Sequence, residues 1–288
     1  MRRPTLALAA LLACGPALPP PPAPGGAVRG PVQVRVATWN VHDLFDAEDR
    51  LVPPGDEDLV PAPAEVEAKL ARVAAVLARV GADAWLLQEV ESRAVLERLA
   101  VASGYAAARL VDGNDPRGID VALLSRIPVS GYASHAGEAG PDGLLWPRDC
   151  VEAWLSAGAD GRRIVVVGSH LSSGVSDDGT RRRWQAERMR EIADAAAAED
   201  PAALVLVGGD LNDAPASDAL APLLADGAWR DPVAPGTATW AGDAGSSRLD
   251  YLLLPSGSRA LVAARVDAGA DVALASDHRP VVLDLRLP

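Results

Sequence analysis

The side chains in this sequence best suited to chemistry on a charged substrate stand at the ends of apolar runs. Asn40, Glu89, His170 and Asp210 each follow such a run, and Asp250 and the pair Asp277-His278 each precede one. In neighbouring antiparallel strands the end of one lies beside the start of the next, so these positions can share one rim of a sheet. Carboxylates gathered there would coordinate a hard divalent cation through oxygen, and imidazoles beside them would supply acid–base groups.

The elements that must hold these residues alternate between strand and helix. Val32, Val34 and Val36 alternate with polar residues, predicting a half-buried strand that ends at Trp39-Asn40. Val66, Leu70, Val73, Leu77 and Val80 fall on one stripe at helical spacing, with Gly81 as the stop. A short strand over 84–87 runs into Gln88-Glu89, and Ser92 is placed to cap a helix reaching about Ala102. Further strands are expected at 119–124, 150–155, 164–167, 204–207, 251–254 and 281–285, with Cys150 a buried strand residue. An amphipathic helix over 181–198 carries Trp184, Met189 and Ile192 and ends at Asp200-Pro201. One α/β sandwich domain, its sheets covered by helices, is the simplest arrangement.

Composition sets limits on this picture. Hydrophobic residues make up 49% and charged residues 23%, as in an ordinary globular protein rather than a disordered or fibrous one. No apolar run approaches the roughly 20 residues of a spanning helix. The formal net charge of −12 opposes tight, extended binding to a polyanion, while leaving room for a carboxylate cage around a cation.

At the N-terminus, Arg2 and Arg3 precede the short apolar segment Leu6 to Ala13, the pattern of a signal peptide. Leu11-Leu12-Ala13-Cys14 resembles a lipobox, with Cys14 the residue that would be lipidated. The prolines and glycines of 15–31 read as an extended tether. The expected division is therefore a leader at 1–14, a tether at 15–31 and a catalytic domain at 32–288. It places the protein in the periplasm, on the outer membrane as a lipoprotein, or outside the cell.

The ordered set Thr38-Trp39-Asn40, Gln88-Glu89-Val90, Gly118-Ile119-Asp120-Val121, Ser169-His170-Leu171, Gly209-Asp210-Leu211-Asn212, Leu249-Asp250-Tyr251 and Ser276-Asp277-His278-Arg279-Pro280-Val281 resembles the endonuclease/exonuclease/phosphatase superfamily, which includes deoxyribonuclease I. The resemblance spans about Val32 to Leu287. It implies a four-layer sandwich of two packed mixed β-sheets flanked by helices, and a Mg²⁺- or Mn²⁺-dependent phosphoesterase. By position it makes Glu89 the principal metal ligand, with Asn40 organising the metal and Asp277 as another metal-site carboxylate. Asp210 and Asn212 match the pair that orients or deprotonates the attacking water. His278, paired with Asp250, is drawn in some members as a base and in others as a phosphate-binding imidazolium. His170 matches a group that protonates the leaving oxygen or bonds the phosphate.

This division of labour has a physical basis. A phosphodiester anion repels hydroxide, so a cation must neutralise its oxygens and stabilise charge as the bond breaks. Arg148 and Arg117 are the candidates for phosphate contact. His42 and His135 have no motif context and read as surface or loop residues, and Arg181-Arg182-Arg183 reads as a solvated face. The expected partner is a phosphate-ester substrate, with nucleic acid among the classes; the membrane would be reached through the lipid anchor, and no protein partner is predicted. Alternatives are a phosphatase or lipid phosphodiesterase of the same fold, or a surface binding protein whose site has decayed. Selectivity is expected in the loops at 47–63 and 130–146.

Overall fold

The structure is a computed structural model, and it describes residues 30–48, 59–174, 177–242 and 245–288. The leader and most of the proline-rich tether lie outside the described residues. From the N-terminus the chain runs β1 (Val32–Leu44), α1 (Pro63–Val80), β2 (Ala84–Val90), α2 (Arg93–Ser103), β3 (Ala107–Leu110), β4 (Asp120–Ser125), β5 (Val129–Ser134), β6 (Ala139–Gly140), β7 (Gly143–Leu144), β8 (Cys150–Ala157) and β9 (Arg162–His170). It continues through α3 (Thr180–Glu199), β10 (Leu204–Asp210), α4 (Ala221–Leu224), β11 (Trp229–Arg230), β12 (Trp240–Gly242), β13 (Gly245–Ser247), β14 (Asp250–Pro255), β15 (Leu261–Val266), α5 (Ala270–Ala275) and β16 (Val281–Leu287).

These strands form two mixed six-stranded sheets, ordered β15-β16-β1-β2-β4-β3 and β11-β14-β10-β9-β8-β5. Their inner faces meet in a core where Val34, Val36, Leu86 and Leu123 pack with Val151, Leu155, Val166 and Leu206. Gly168 allows that approach, because a Cβ there would collide with the Leu86 side chain. The outer face of the first sheet buries Trp39, Trp85 and Leu87 under the α1 stripe of Val66, Leu70, Val73 and Leu77. The outer face of the second buries Val165, Val167 and Val205 under Met189, Ile192 and Ala193 of α3. The layers are therefore helix, sheet, sheet, helix, as expected. Ser92 caps α2 by accepting the Val95 N–H at 3.2 Å, and Cys150 is a buried free thiol in β8.

The register explains how distant residues meet. β1 and β2 run parallel with Asn40 opposite Gln88, and β9 and β10 run parallel with His170 opposite Asp210. Antiparallel β14 sets Asp250 opposite Asp210, and antiparallel β16 pairs Val281 with Thr38. The carboxyl ends of four strands and the amino ends of two thus open on the same rim.

Candidate active site

Two irregularities on neighbouring strands build the acidic side of this rim. The pairing of β2 with β4 shifts register between Gln88 and Val90, leaving Glu89 as the bulged residue with φ of 62°. The pairing of β1 with β2 shifts between Asn40 and Leu44, and His42 and Asp43 within that shift have φ of 55° and 53°. Asn212, just past β10, has φ of 52°. No other non-glycine residue among those described has a positive φ. Such backbone costs of order 1–3 kcal/mol per residue and persists where the surroundings enforce it, often at functional sites.

Asn40 ties the two halves of the site together. Its Nδ2 donates to Glu89 Oε1 at 2.9 Å and to Asp210 Oδ2 at 3.0 Å, while its Oδ1 accepts the His42 N–H at 2.9 Å. The amide nitrogen therefore faces both carboxylates, which makes Asn40 a tether for Glu89 and Asp210. Glu89 also accepts the Asp43 N–H at 2.9 Å. Burial would raise the Glu89 pKa, but Asn40, Asp43 and the nearby Arg117 hold it below the ordinary value. Burial and the facing Glu89 carboxylate push Asp43 up to about 6.

Asp277 enters from the other side, accepting from Trp240 Nε1 at 2.8 Å. His42 stands between the acids, with Nδ1 3.1 Å from Asp277 Oδ1 and Nε2 3.7 Å from Asp43 Oδ2. Burial works upward on Asp277, yet His42 and the His278 charge hold it well below the usual carboxylate range. Glu89, Asp43 and Asp277 offer hard oxygen donors of the kind Mg²⁺ and Mn²⁺ take.

The second group centres on Asp210. Its Oδ1 accepts the Asn212 N–H at 3.0 Å, and its Oδ2 lies 3.4 Å from His170 Nε2 and 3.8 Å from His278 Nε2. His278 Nδ1 is 2.9 Å from Asp250 Oδ2, and the Asp250 N–H is held by Thr239 Oγ1 at 2.9 Å. Ser276 locks the segment by accepting the His278 N–H at 3.0 Å and donating to the Asn40 carbonyl at 2.8 Å. Burial, then the Asp250 charge, pushes Asp210 up to about 7. Burial works against the His278 charge, but Asp250 and Asp210 outweigh it and push His278 up to about 10. For His170 burial dominates, aided by the charges of Arg148 and His278, so its imidazole is neutral near pH 7.

Ligating atoms of Asp210, Asp250 and His278 all lie within 4.8 Å of one another. Asp250 Oδ2 and His278 Nδ1 are committed to each other, while Asp250 Oδ1 has no hydrogen-bond partner among the described residues. The Asp250–His278 pair fits this trio for proton handling, and Glu89, Asp43 and Asp277 add three further carboxylate donors outside it. Gly209 is required beside it: its φ is 123°, and a Cβ there would strike the Ser169 carbonyl.

The two arginines flank the rim. Arg148 is 5% exposed, donates to the Leu171 carbonyl at 3.0 Å, and its Nε has no hydrogen-bond partner among the described residues. Asn212 Nδ2 reaches the same Leu171 carbonyl at 2.9 Å. Arg117 lies 3.3 Å from Asp43 and 3.7 Å from Asp115.

One sequence expectation changes, at Arg182, and two gain detail. His42, read as a surface or loop residue, stands in the site. His135 lies in a loop but joins a polar network, with Nδ1 2.9 Å from Glu138 Oε1. Arg182, read as part of a solvated face, is buried and bonds Asp213 at 3.0 Å and the Ser172 carbonyl at 3.0 Å. Lys69, a site neighbour on α1, received no role from the sequence; Asp43, close to Asn40 in sequence, could be read there either as approaching the metal site or as a turn residue, and it faces Glu89.

Comparison with known proteins bears on the fold and the family. A search of curated proteins finds no match. Among solved structures, the endonuclease/exonuclease/phosphatase from Bacteroides vulgatus superposes with a TM-score of 0.65 at 18% identity, over 89% of this chain and 99% of that one. The human nocturnin catalytic domain with bound sulfate gives 0.64 at 16% identity, over 88% and 94%. Truncated Caenorhabditis elegans TDP2 gives 0.59 at 20% identity, over 88% and 97%. The model of the endonuclease/exonuclease/phosphatase family matches residues 37–278, from β1 to the histidine that faces Asp210, and the chain belongs to that family.

Proposed function

We propose that the protein is an exported, divalent-metal-dependent phosphoesterase that hydrolyses phosphodiesters in a nuclease-like manner. The observation that carries this reading is the single rim on which Glu89, Asn40, Asp210 and His278 meet, linked through Asn40. Glu89, with Asp277 and Asp43 near it, would hold Mg²⁺ or Mn²⁺. That cation would neutralise a non-bridging phosphoryl oxygen.

The chain's own residues divide the remaining work by their charge states. Asp210, pushed up to about 7, is a base matched to neutral pH, and Asn212 fixes its orientation. His278, charged to about pH 10, is better suited to bind the phosphate as an imidazolium than to remove a proton from water. A water between Asp210 Oδ2 and His278 Nε2 would touch both groups across their 3.8 Å separation. His170 is a neutral donor for a phosphate or leaving oxygen, and the buried Arg148 guanidinium places a positive charge behind the rim.

A phosphatase or lipid phosphodiesterase is the second reading, favoured by the net charge of −12. A Cys14 lipid anchor would place that activity at a membrane. Assays on DNA, RNA, sphingomyelin, inositol phosphates and a simple nitrophenyl phosphodiester separate the readings. Hydrolysis of at least one should vanish in EDTA and return with Mg²⁺ or Mn²⁺. Activity indifferent to EDTA, or none on the whole panel, contradicts the proposal.

The charge states are checked without any metal. Histidine-selective NMR in EDTA should show His278 protonated past pH 8 and His170 still neutral below the ordinary histidine range. Because the folded His278 value lies above the unfolded one, its stabilising contribution is complete below about pH 6.5 and is lost as pH rises through about 10. A His278 midpoint below 7 would overturn its role as an imidazolium.

A further inference from the structure

Beyond Asp277 the cleft continues into a cavity of about 520 Å³ that includes His42, Lys69, Leu274, Ser276, Asp277 and Arg279 in its lining. Lys69 extends from α1 and donates to the Ala275 carbonyl at 2.6 Å, which among the described residues leaves two ammonium N–H groups uncommitted. Arg279 follows His278, and its side chain makes one long contact, 3.5 Å to the Ala238 carbonyl. Neither cation has an ion pair among the described residues. Elsewhere in this acidic chain arginines face carboxylates, as in Arg79 with Asp267 and Asp271, Arg188 with Glu138 and Glu191, and Arg190 with Asp194 and Asp226.

Among the described residues Asp277 is the one acid in the cavity lining, and its carboxylate already faces Trp240 and His42. Lys69 also senses the site: burial lowers its pKa, while Asp43, Glu89 and Asp277 act in the opposite direction. The opposite flank is different. A groove of about 1180 Å³ runs past Arg117, Arg148 and Arg181, where Asp115 and Asp142 answer the arginines at 3.7, 3.5 and 2.8 Å. Asp177 and Asp178 also line it, so acids outnumber cations there. Among the described residues, one flank carries cations without an ion-pair partner and the other does not.

We propose that the Lys69–Arg279 cavity is a subsite for a second phosphate group of the substrate, carried on the Asp277 side of the phosphate that is hydrolysed. This rests on the phosphoesterase reading above and narrows it to substrates with two phosphates. Two cationic side chains match a phosphate dianion in charge, and Arg279 can contact it through two N–H groups at once.

The test uses two chromogenic esters that differ by one phosphate: thymidine 5′-(4-nitrophenyl phosphate) and the same compound carrying a 3′-phosphate. With Mg²⁺ or Mn²⁺, the added phosphate should lower KM at least ~10-fold, as expected of one charge-assisted contact. The double variant Lys69→Met/Arg279→Gln should erase that preference and leave kcat for the simpler ester within about twofold. Lys69→Arg, which keeps the charge, should retain the preference and controls for damage to α1. Equal KM values in the wild type, or a preference that survives in the double variant, overturn the subsite and leave the phosphoesterase reading standing. Hydrolysis of neither ester contradicts the nuclease-like reading and the subsite with it.

Discussion

Replacing Glu89 with Gln should lower kcat/KM at least ~10³-fold and weaken binding of Mg²⁺ and Mn²⁺, since a catalytic cation supplies several kcal/mol of charge stabilisation and each 1.36 kcal/mol is tenfold in rate. The change keeps the size of the side chain and its bond from Asn40 but removes the negative charge. Glu89 is the carboxylate that the backbone is bent to present. It occupies the bulge of β2 at φ of 62°, and Asn40 and the Asp43 N–H fix its two oxygens. Metal titration beside the kinetics identifies the cause. A variant with wild-type activity, or one inactive yet binding metal normally, would remove Glu89 from the metal site.

His278→Ala is the second large effect, expected at ~10²-fold or more in kcat, the low end for a catalytic proton or charge donor. His278 reaches Asp210 only because Asp250 holds its Nδ1 at 2.9 Å, and Asp250 is in turn held by Thr239. Asp250→Asn should therefore cost activity through the orientation and charge of the imidazole. The double variant His278→Ala/Asp250→Asn should be little worse than His278→Ala alone, because the two side chains act as one unit. Additive losses would show that Asp250 acts independently of His278.

Much of this was legible in the sequence because the inner strands are buried on both faces and so read as apolar runs that end abruptly in polar residues. In β10 the run Leu204 to Val207 is followed at once by Gly208, Gly209 and Asp210, so both the strand and its functional end stand out. The strands left unpredicted are of a different kind. β3, β5 and β15 have partly exposed residues and carry Ala, Ser or Gly within them, so no clear period marks them.

The site was legible where a functional residue closed a strand, and hidden where the backbone departed from regular geometry. His42 and Asp43 follow Asn40 within β1, and only the left-handed turn of the chain at both residues brings them to Asp277 and Glu89. Lys69 sits beside the apolar stripe of α1, where spacing alone marks it as a solvated residue. Its reach to the end of α5 depends on how two helices pack over one sheet. Arg182 belonged to a basic run, and burial against Asp213 and Ser172 could not be read from its neighbours in sequence.

The central claim is that the divalent cation sits against Glu89, while Asp210 and His278 work beside it without ligating it. Crystals grown with Mn²⁺ and measured for anomalous scattering test this directly. The account predicts a peak at about 2.0–2.3 Å from a Glu89 carboxylate oxygen, on the side facing Asp277. A peak held instead by Asp210, Asp250 and His278 would contradict it and exchange the roles of metal site and proton site.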